Sequence, residues 1–272
     1  MKIGIIGYGN IGSVIAKKLS KFYKVIVFDK DKDKLKNATT KKISVATSNI
    51  KLIENSQLII IAVKPQDFDT LLDEIATCCV DKLVVSIAAG ISLDTIKKKL
   101  KDARLIRIMP NLAIKVSRGM IFIATSKEVK EKDLRVVKKL FKKFGRVLFI
   151  DEKLMDAATA IGGSGPGFIY DFAEDKTQKE IKQYLEKVFI PQAKDTAISL
   201  GFSKREAVII AKTTAEGSLK LLLDSKLSAS DLKKQIASKG GTTEAGLLVL
   251  DNGGSLKEAF LAAQERAKQL SR

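Results

Sequence analysis

The chain has 272 residues, of which 49 are Lys or Arg and 31 are Asp or Glu, so its formal net charge is +18. This length is sufficient for two domains of ordinary size. The only two cysteines, Cys78 and Cys79, are adjacent, and the chain has no histidine. These counts exclude a disulfide framework and argue against a transition-metal site.

The positive charge is dispersed along the chain, with acidic residues between the lysines and no accompanying aromatic motif. This pattern predicts solvated helix faces rather than a nucleic-acid interface. The longest apolar run, Leu58 to Val63, is too short to span a membrane, and the N-terminus does not resemble a signal peptide. We therefore expect a cytoplasmic protein with no nucleic-acid partner and no membrane association. Its positive electrostatic field favours anionic ligands.

The first 150 residues alternate short β-rich runs with amphipathic stretches, which is typical of a parallel sheet covered by helices. After Asp151 the pattern predicts helices alone, including capping boxes that begin at Ser203 and Ser255. The sequence thus predicts an α/β domain over residues 1–150 and an all-helical domain over residues 151–272. The predicted strands are Lys2 to Ile6, Lys24 to Phe28, Ile43 to Ala46, Leu58 to Val63, Leu83 to Ile87, Arg104 to Ile108, Met120 to Ala124 and Val147 to Ile150.

A glycine turn follows the first predicted strand and precedes a predicted helix over Ser13 to Ser20. Its first glycine permits a sharp turn, its second lets backbone approach a pyrophosphate, and its third allows the helix to pack on the strand. Asp29 ends the second strand, at the spacing of a complete βαβ unit. The pattern predicts a Rossmann-type dinucleotide site, and the turn consists of Gly7, Tyr8, Gly9, Asn10, Ile11 and Gly12.

A second glycine cluster, Ser238-Lys239-Gly240-Gly241-Thr242-Thr243, precedes a short helical stretch. Amides of the first helical turn and two hydroxyl groups can bind a small carboxylate or phosphate. The same residues would also serve as a purely structural helix cap. In the first domain, Val63-Lys64-Pro65 and Met109-Pro110-Asn111 follow strands at the sheet edge where open α/β sheets bind ligands.

Taken together, these motifs resemble the pyrroline-5-carboxylate reductase family over nearly the whole chain. Their order along the chain matches the family order. The motifs are the N-terminal glycine turn, Ala62 to Gln66, Ile87 to Ile91, Met109 to Asn111 with Gly119-Met120, Asp151 to Lys153 through Gly163 to Pro166, and Ser238 to Leu250.

The resemblance implies reduction of 1-pyrroline-5-carboxylate to L-proline by NADH or NADPH, the last step of proline biosynthesis. It also implies a C-terminal domain that forms a homodimer, which can build a larger ring of dimers. Ser238, Gly240, Gly241 and Thr242 are implied to bind the substrate carboxylate, and Thr243 to lie near the ring nitrogen as the catalytic residue. The implied cofactor residues beyond the turn are Asp29, Lys30, Ala62, Val63, Lys64, Pro65, Ala88, Ala89, Met109, Pro110 and Asn111.

The chain departs from the family pattern at several places. Gly167-Phe168 replaces the usual Ala-Tyr, and about 17 extra residues, roughly 171 to 188, are charged and helix-prone. This insertion is expected to lengthen or split the first helix of the second domain. Pro191 stands where an acidic residue is common, and Lys239 where proline is common.

Two features at the end of the second predicted strand bear on the choice between NADH and NADPH. Asp29 favours the ribose hydroxyl of NADH over the 2′-phosphate of NADPH, whereas Lys30 and Lys32 lie beside it. The sequence favours NADH and leaves NADPH open. Two other functions also stay open: a Rossmann-type reductase of another small imine or hydroxy acid, and a non-catalytic nucleotide-binding relative.

Overall fold

The structure is a computed structural model that describes residues 1–36 and 38–271. The chain forms two compact units. The first comprises Met1–Ile108 and Ile123–Leu140, and the second comprises Met109–Phe122 and Phe141–Ser271. The domain boundary near residue 150 that the sequence suggests remains a prediction.

The first unit is organised around parallel strands in the order β3-β2-β1-β4-β5-β6. Ile5 at the centre pairs with Val27 on one side and with Ile60 on the other. The central strands are apolar and almost completely buried, as expected for a parallel sheet with both faces covered. The strands are β1 (Lys2–Ile6), β2 (Lys24–Phe28), β3 (Ile43–Val45), β4 (Leu58–Ile61), β5 (Leu83–Ser86) and β6 (Arg104–Pro110).

Helices connect these strands, because parallel neighbours need crossover connections. In α4, Phe68, Leu71, Leu72 and Ile75 recur at helical spacing and are buried, which gives the helix one apolar face. The helices before residue 142 are α1 (Asn10–Leu19), α2 (Lys32–Leu35), α3 (Asn49–Glu54), α4 (Phe68–Ile75), α5 (Leu93–Lys99) and α6 (Glu131–Phe141).

Two further strands, β7 (Gly119–Thr125) and β8 (Gly145–Phe149), follow β6 in the sheet order. All eight predicted strands are therefore present, and their ends differ from the prediction by at most two residues. β4 and β5 end earlier than predicted because the chain turns immediately into the loops at their carboxyl ends.

The second unit contains the helical part of the chain, and no strand follows Phe149 among the described residues. None of the helices within residues 1–36 and 38–271 is long and apolar enough to cross a membrane. The helices are α7 (Met155–Ala158), α8 (Gly165–Phe172), α9 (Gln178–Tyr184), α10 (Ile190–Ser199), α11 (Lys204–Asp224), α12 (Ala229–Ile236), α13 (Thr242–Asp251) and α14 (Leu256–Leu270), with π-helical segments at Thr159–Ser164 and Leu185–Phe189.

Both predicted capping boxes are confirmed at the starts of α11 and α14. Ser203 and Glu206 exchange hydrogen bonds, as do Ser255 and Glu258. Two more boxes begin α9 and α12. Such reciprocal bonds satisfy backbone N–H groups that the helix leaves open.

A break between α8 and α9 interrupts the helical structure within residues 171–188, the segment expected to lengthen or split a helix. α8 ends at Phe172, and α9 begins after a break with the ring of Tyr184 stacked on that of Phe172 at 3.8 Å between centroids. Lys233 of α12 then pairs with Asp171 at 2.8 Å and with Glu174 at 2.7 Å. The extra residues are thus folded back against α8 and α12. The π-helical segment ends at Phe189, two residues before Pro191 of α10, and Pro191 has no backbone N–H to donate.

Gly167 and Phe168, near the start of α8, both face α13. A Cβ at Gly167 would collide with the methyl group of Thr243, and a Cβ at Gly246 would collide with the ring of Phe168. The Phe168 ring also packs against Phe260 of α14 at 5.3 Å between centroids. Gly167 and Gly246 therefore let α8 and α13 approach closely.

Gly246→Ala is expected to destabilise the protein by about 1–3 kcal/mol, the usual cost of overpacking a filled core. The added methyl group would meet the Phe168 ring and the backbone carbonyl of Ala259. Urea unfolding of the two proteins measures the difference. Gly9→Ala serves as the matched control, because a Cβ at Gly9 meets no atom within 4 Å. Equal stability of Gly246→Ala and the parent protein would contradict this packing.

Candidate functional site

The glycine turn joins β1 to α1, and its first and third glycines are required by the backbone. Gly7 has a φ of +98°, and a Cβ there would lie 2.6 Å from the carbonyl oxygen of Ala62. Its N–H donates to the carbonyl of Phe28 at 2.8 Å. A Cβ at Gly12 would collide with the carbonyl of Gly7. These two positions hold the turn tightly against β2 and the end of β4.

Gly9 differs, because the space beside it is open. A Cβ there would have no atom within 4 Å, and no side chain caps the N-terminus of α1, where Gly9 is the N-cap residue. The amides of the first helical turn thus face a cradle that a side chain would fill. A helix N-terminus with this geometry fits the pyrophosphate of a dinucleotide.

A cavity of about 500 Å³ lies in the first unit, beyond the carboxyl ends of β1, β2 and β4. This is the edge at which open α/β sheets bind nucleotides. Seven predicted cofactor residues line it: Gly7, Gly9, Asp29, Lys30, Ala62, Val63 and Lys64. The structure therefore brings together residues from three strand ends that are far apart in the sequence.

Asp29 lies in this cavity with its carboxylate held by backbone amides. One oxygen accepts from the N–H of Tyr8 at 2.7 Å and the other from the N–H of Asp31 at 2.9 Å. The side chain is only 8% exposed. Lys34 approaches it at 3.6 Å, and Lys30 pairs instead with Asp67 at 2.6 Å. The cationic side chains nearest Asp29 are thus already balanced by carboxylates.

Asn49, which the sequence analysis missed, also lines the cavity. Its side-chain amide donates to Glu74 at 2.8 Å, whereas its Oδ1 atom is buried without a hydrogen-bond partner. A buried acceptor without a partner is costly, and a nucleotide hydroxyl or amino group would satisfy it. A signal existed in the sequence, because Ser48 caps α3 just after β3 and places Asn49 at the same sheet edge.

Several predicted cofactor residues do not line the cavity. Tyr8 is buried and contributes its backbone N–H to Asp29. Pro65 begins a 3-10 turn, Pro65–Asp67. A cofactor role for these residues remains a prediction, as it does for the others outside the cavity lining: Asn10, Ile11, Gly12, Ala88 and Ala89.

Met109, Pro110 and Asn111 belong to the second unit. The side-chain amide of Asn111 makes two hydrogen bonds within that unit: it donates to the carbonyl of Gly162 at 3.0 Å and accepts from the N–H of Met120 at 3.1 Å. Asn111 thus ties the end of β6 to β7 and to the π-helical segment. A cofactor role for these three residues remains a prediction.

The predicted substrate loop forms the N-terminus of α13 in the second unit. Gly240 has a φ of +69°, and Gly241 is the N-cap residue, with no side chain capping the helix. Arg266 holds the loop by donating to the carbonyl of Gly240 at 2.7 Å. The amides of the first turn and the nearby guanidinium group favour a bound anion.

Thr242 and Thr243 take different positions at this helix start. The hydroxyl of Thr242 lies 2.9 Å from that of Ser164, at the end of the π-helical segment. Thr243 is only 3% exposed, with its methyl group against Gly167. The contact with Ser164 links the loop to the Gly163 to Pro166 motif, and π-helical segments are frequent at functional sites.

The described residues offer little acid–base or metal chemistry. No group of three or more potential His, Cys, Asp or Glu ligands occurs within residues 1–36 and 38–271. Burial raises the pKa of the Cys79 thiol to about 12, so this thiol is not a nucleophile near neutral pH. Burial also raises the pKa of Tyr170, whose hydroxyl donates to the carbonyl of Ser218.

An open parallel sheet, an uncapped glycine turn and a cavity at the strand ends define a Rossmann-type dinucleotide-dependent oxidoreductase. Residues 2–90 match the family described as NADP oxidoreductase coenzyme F420-dependent, and residues 184–272 match the family described as pyrroline-5-carboxylate reductase dimerisation. Pyrroline-5-carboxylate reductases of Aquifex aeolicus and Methanosarcina acetivorans are each 32% identical over 99% and 100% of this chain, which covers 97% and 98% of theirs. The chain belongs to the pyrroline-5-carboxylate reductase family.

Solved structures agree with this assignment. The 1-pyrroline-5-carboxylate reductase of Streptococcus pyogenes is 30% identical, with a TM-score of 0.66 and coverage of 99% of this chain and 98% of that one. The Plasmodium falciparum pyrroline carboxylate reductase with NADP bound is 26% identical, with a TM-score of 0.65 and coverage of 100% and 98%. The predicted fold, a Rossmann-type domain followed by a helical dimerisation domain, is confirmed.

Gly9→Ala is expected to weaken NADH and NADPH binding at least about tenfold, because the methyl group would occupy the cradle where backbone approaches a pyrophosphate. Quenching or enhancement of nicotinamide fluorescence on titration measures the affinity. The free energy of unfolding should fall by less than about 1 kcal/mol, the scale of an N-cap change. Unaltered affinity for both dinucleotides would place the pyrophosphate elsewhere.

Proposed function

We propose that this protein reduces 1-pyrroline-5-carboxylate to L-proline at the expense of NADH or NADPH, as the last step of proline biosynthesis. One combination of features carries the proposal: a single chain holds both the open cradle at Gly9 and the uncapped Gly-Gly-Thr-Thr helix start. The first fits a dinucleotide and the second a small carboxylate. The names of the relatives supply the substrate.

The proposed imine reduction does not require the protein to supply a strong general acid. When bound, the reduced nicotinamide supplies a hydride to the imine carbon. The imine accepts it readily once its nitrogen is protonated, and that proton can arrive with the substrate. The absence of histidine from the chain is compatible with this route. The residues of the chain contribute by positioning and by electrostatic fixation.

The start of α13 is suited to bind the substrate carboxylate. Thr242, Thr243 and Glu244 form the first turn of a helix that no side chain caps, and Arg266 adds positive charge at Gly240. Backbone amides and the helix dipole favour a carboxylate there. We infer that Ser238, Gly240, Gly241 and Thr242 surround this group, and that Lys239, which is exposed, adds charge at its rim.

Thr243 is proposed to act on the ring nitrogen. Its methyl group is fixed against Gly167, so the side chain has a defined orientation. Its hydroxyl oxygen can accept a hydrogen bond from the N–H of a protonated imine. That bond stabilises the charged, reactive form of the substrate and orients the imine carbon.

Thr243→Ala is expected to lower kcat/KM about 10–100-fold, the scale of one positioned hydrogen bond to a charged group. Steady-state kinetics with 1-pyrroline-5-carboxylate measures the loss. Thr243→Ser keeps the hydroxyl and removes the methyl group against Gly167, so it should retain more activity than the alanine variant. Unchanged kinetics of Thr243→Ala would remove this residue from the mechanism.

The surroundings of Asp29 support a preference for NADH. Its carboxylate is held at the end of β2 by two backbone amides, and the nearest lysines are balanced by Asp29 itself, Asp31 and Asp67. Each carboxylate oxygen keeps a lone pair for a ribose hydroxyl. The Asp29 carboxylate would repel a 2′-phosphate, and Lys30 and Lys34 beside it are already paired with carboxylates.

Asp29→Ser is expected to shift the ratio of kcat/KM for NADPH over NADH upward by about tenfold or more, because it removes one charge repulsion. Initial rates with each cofactor measure the ratio. Asp67→Ser is the matched control: it frees Lys30 for a phosphate while leaving the Asp29 carboxylate in place, and it should change the ratio less. A parent enzyme that already prefers NADPH would show that Asp29 does not contact the ribose.

We further propose that the chain assembles as a homodimer through its helical unit. Large apolar side chains are exposed there, among them Leu223 of α11, Leu248 of α13 and Leu261 of α14. A second copy would cover such surface. Sedimentation equilibrium distinguishes a dimer from a larger ring of dimers and from a monomer.

Oxidation of NADH and of NADPH, followed at 1-pyrroline-5-carboxylate concentrations spanning KM, tests the proposed function directly. Turnover that yields L-proline and the oxidised dinucleotide in equal amounts is the expected result. Turnover only with another small imine or with an oxidised hydroxy acid would favour a different Rossmann-type reductase. Dinucleotide binding without turnover of any of these would favour a non-catalytic relative.

A further inference from the structure

A second cavity, of about 540 Å³, lies entirely within the second unit. None of its residues belongs to the glycine turn or to the substrate loop, and no motif from the sequence analysis points to it. Its lining comes from three stretches: Ser117 and Arg118 before β7; Lys142, Gly145 and Arg146 around the start of β8; and Val208, Ile209, Lys212, Thr213, Glu216 and Gly217 of α11.

Two glycines bring these stretches together. Gly145 has a φ of +153°, and a Cβ there would collide with the backbone of Gly119. A Cβ at Gly217 would collide with the carbonyl oxygen of Arg118. These close backbone contacts fix Arg118, Arg146 and α11 around the same cavity.

The charge around this cavity is strongly unbalanced. Arg118, Lys142, Arg146 and Lys212 face it with Glu216 as the only carboxylate of its lining, and all five are exposed. None of the four cationic side chains forms an ion pair or side-chain hydrogen bond with another residue of the described chain. Elsewhere on α11, by contrast, Lys220 pairs with Asp224 at 2.9 Å.

Four cations around one cavity with a single carboxylate among them repel one another, and a multivalent anion would relieve that repulsion. Two of the four are arginines, whose planar guanidinium groups bind phosphate oxygens in pairs. The four cations come from three separate stretches around a cavity of about 540 Å³. A chain of linked phosphates presents several anionic groups to such a spread of cations, whereas inorganic phosphate presents one.

We propose that this cavity binds a polyphosphate chain, either free or as part of a nucleotide. Arg118 and Arg146 bind its phosphates through paired hydrogen bonds, and Lys142 and Lys212 add charge. Glu216 opposes binding and limits its strength. This assignment is independent of the reaction proposed above, because it involves neither the dinucleotide cavity nor the start of α13.

Isothermal titration calorimetry on the full-length protein tests the proposal, with saturating NADH present to block the pyrophosphate cradle. Tripolyphosphate is expected to bind once per chain, and more tightly than either inorganic phosphate or citrate. Equal binding of ATP and tripolyphosphate identifies the phosphate chain as the recognised group, whereas tighter binding of ATP assigns the site to a nucleotide. No heat with tripolyphosphate at concentrations up to about 1 mM overturns the proposal, as does equal affinity for citrate.

Paired variants separate this site from the general positive charge of the chain. Arg118→Ala with Arg146→Ala should weaken tripolyphosphate binding at least about tenfold, and Lys142→Ala with Lys212→Ala should weaken it less. Lys132→Ala with Lys139→Ala on α6 removes the same charge from exposed positions outside the cavity and should leave affinity within about twofold. Glu216→Gln should tighten binding.

Far-ultraviolet circular dichroism and thermal unfolding of each variant confirm that it is folded. Because Lys142, Lys212 and Glu216 are exposed, their variants keep the test decisive even if the arginine pair destabilises the protein. Equal losses in the cavity variants and in the α6 control, or no tightening in Glu216→Gln, would refute the site.

Discussion

The structure depends on backbone segments that approach one another more closely than a Cβ atom allows. At the glycine turn, Gly7 lies against Ala62, and Gly12 lies against Gly7 itself. These contacts place the start of α1 at the ends of the central strands, so the helix amides face the cavity. Without them α1 would be displaced from the sheet, and the cradle at Gly9 would not form.

The same constraint recurs in the helical unit. Gly167 and Gly246 let α8 and α13 meet, and this meeting fixes the side chain of Thr243. Gly167 and Phe168 are therefore part of one packed interface, in which Gly167 lies against Thr243 and the Phe168 ring lies against Gly246. The segment after α8 folds back on α8 and α12 through contacts of Phe172, Tyr184 and Lys233.

The large positive charge has different consequences at different places. Near Asp29, Lys30 and Lys34 are paired with carboxylates, so the net charge of the chain says little about the cofactor. Around Arg118 and Arg146 the cations lack such partners. Composition gives only the sum of the charges, whereas anion binding depends on where cationic side chains lack a paired carboxylate.

The sequence by itself determined the eight strands, the glycine turn, the helical second half and the family, because periodicity, turn residues and short motifs are local properties. It could not decide whether the insertion splits a helix, since that depended on contacts of Tyr184 and Lys233 with distant residues. Ser48 marks the position of Asn49 at the sheet edge, but the sequence does not show that the Oδ1 atom of Asn49 is buried without a partner, because that depends on how the folded chain surrounds it. The tertiary structure also decided that the Asn111 side chain bonds to Gly162 and Met120. It likewise placed Arg118, Arg146 and Lys212 around one cavity. The physical reason is the same in each case: burial, hydrogen-bond satisfaction and charge compensation are properties of neighbours in space, and those neighbours are far apart in the chain.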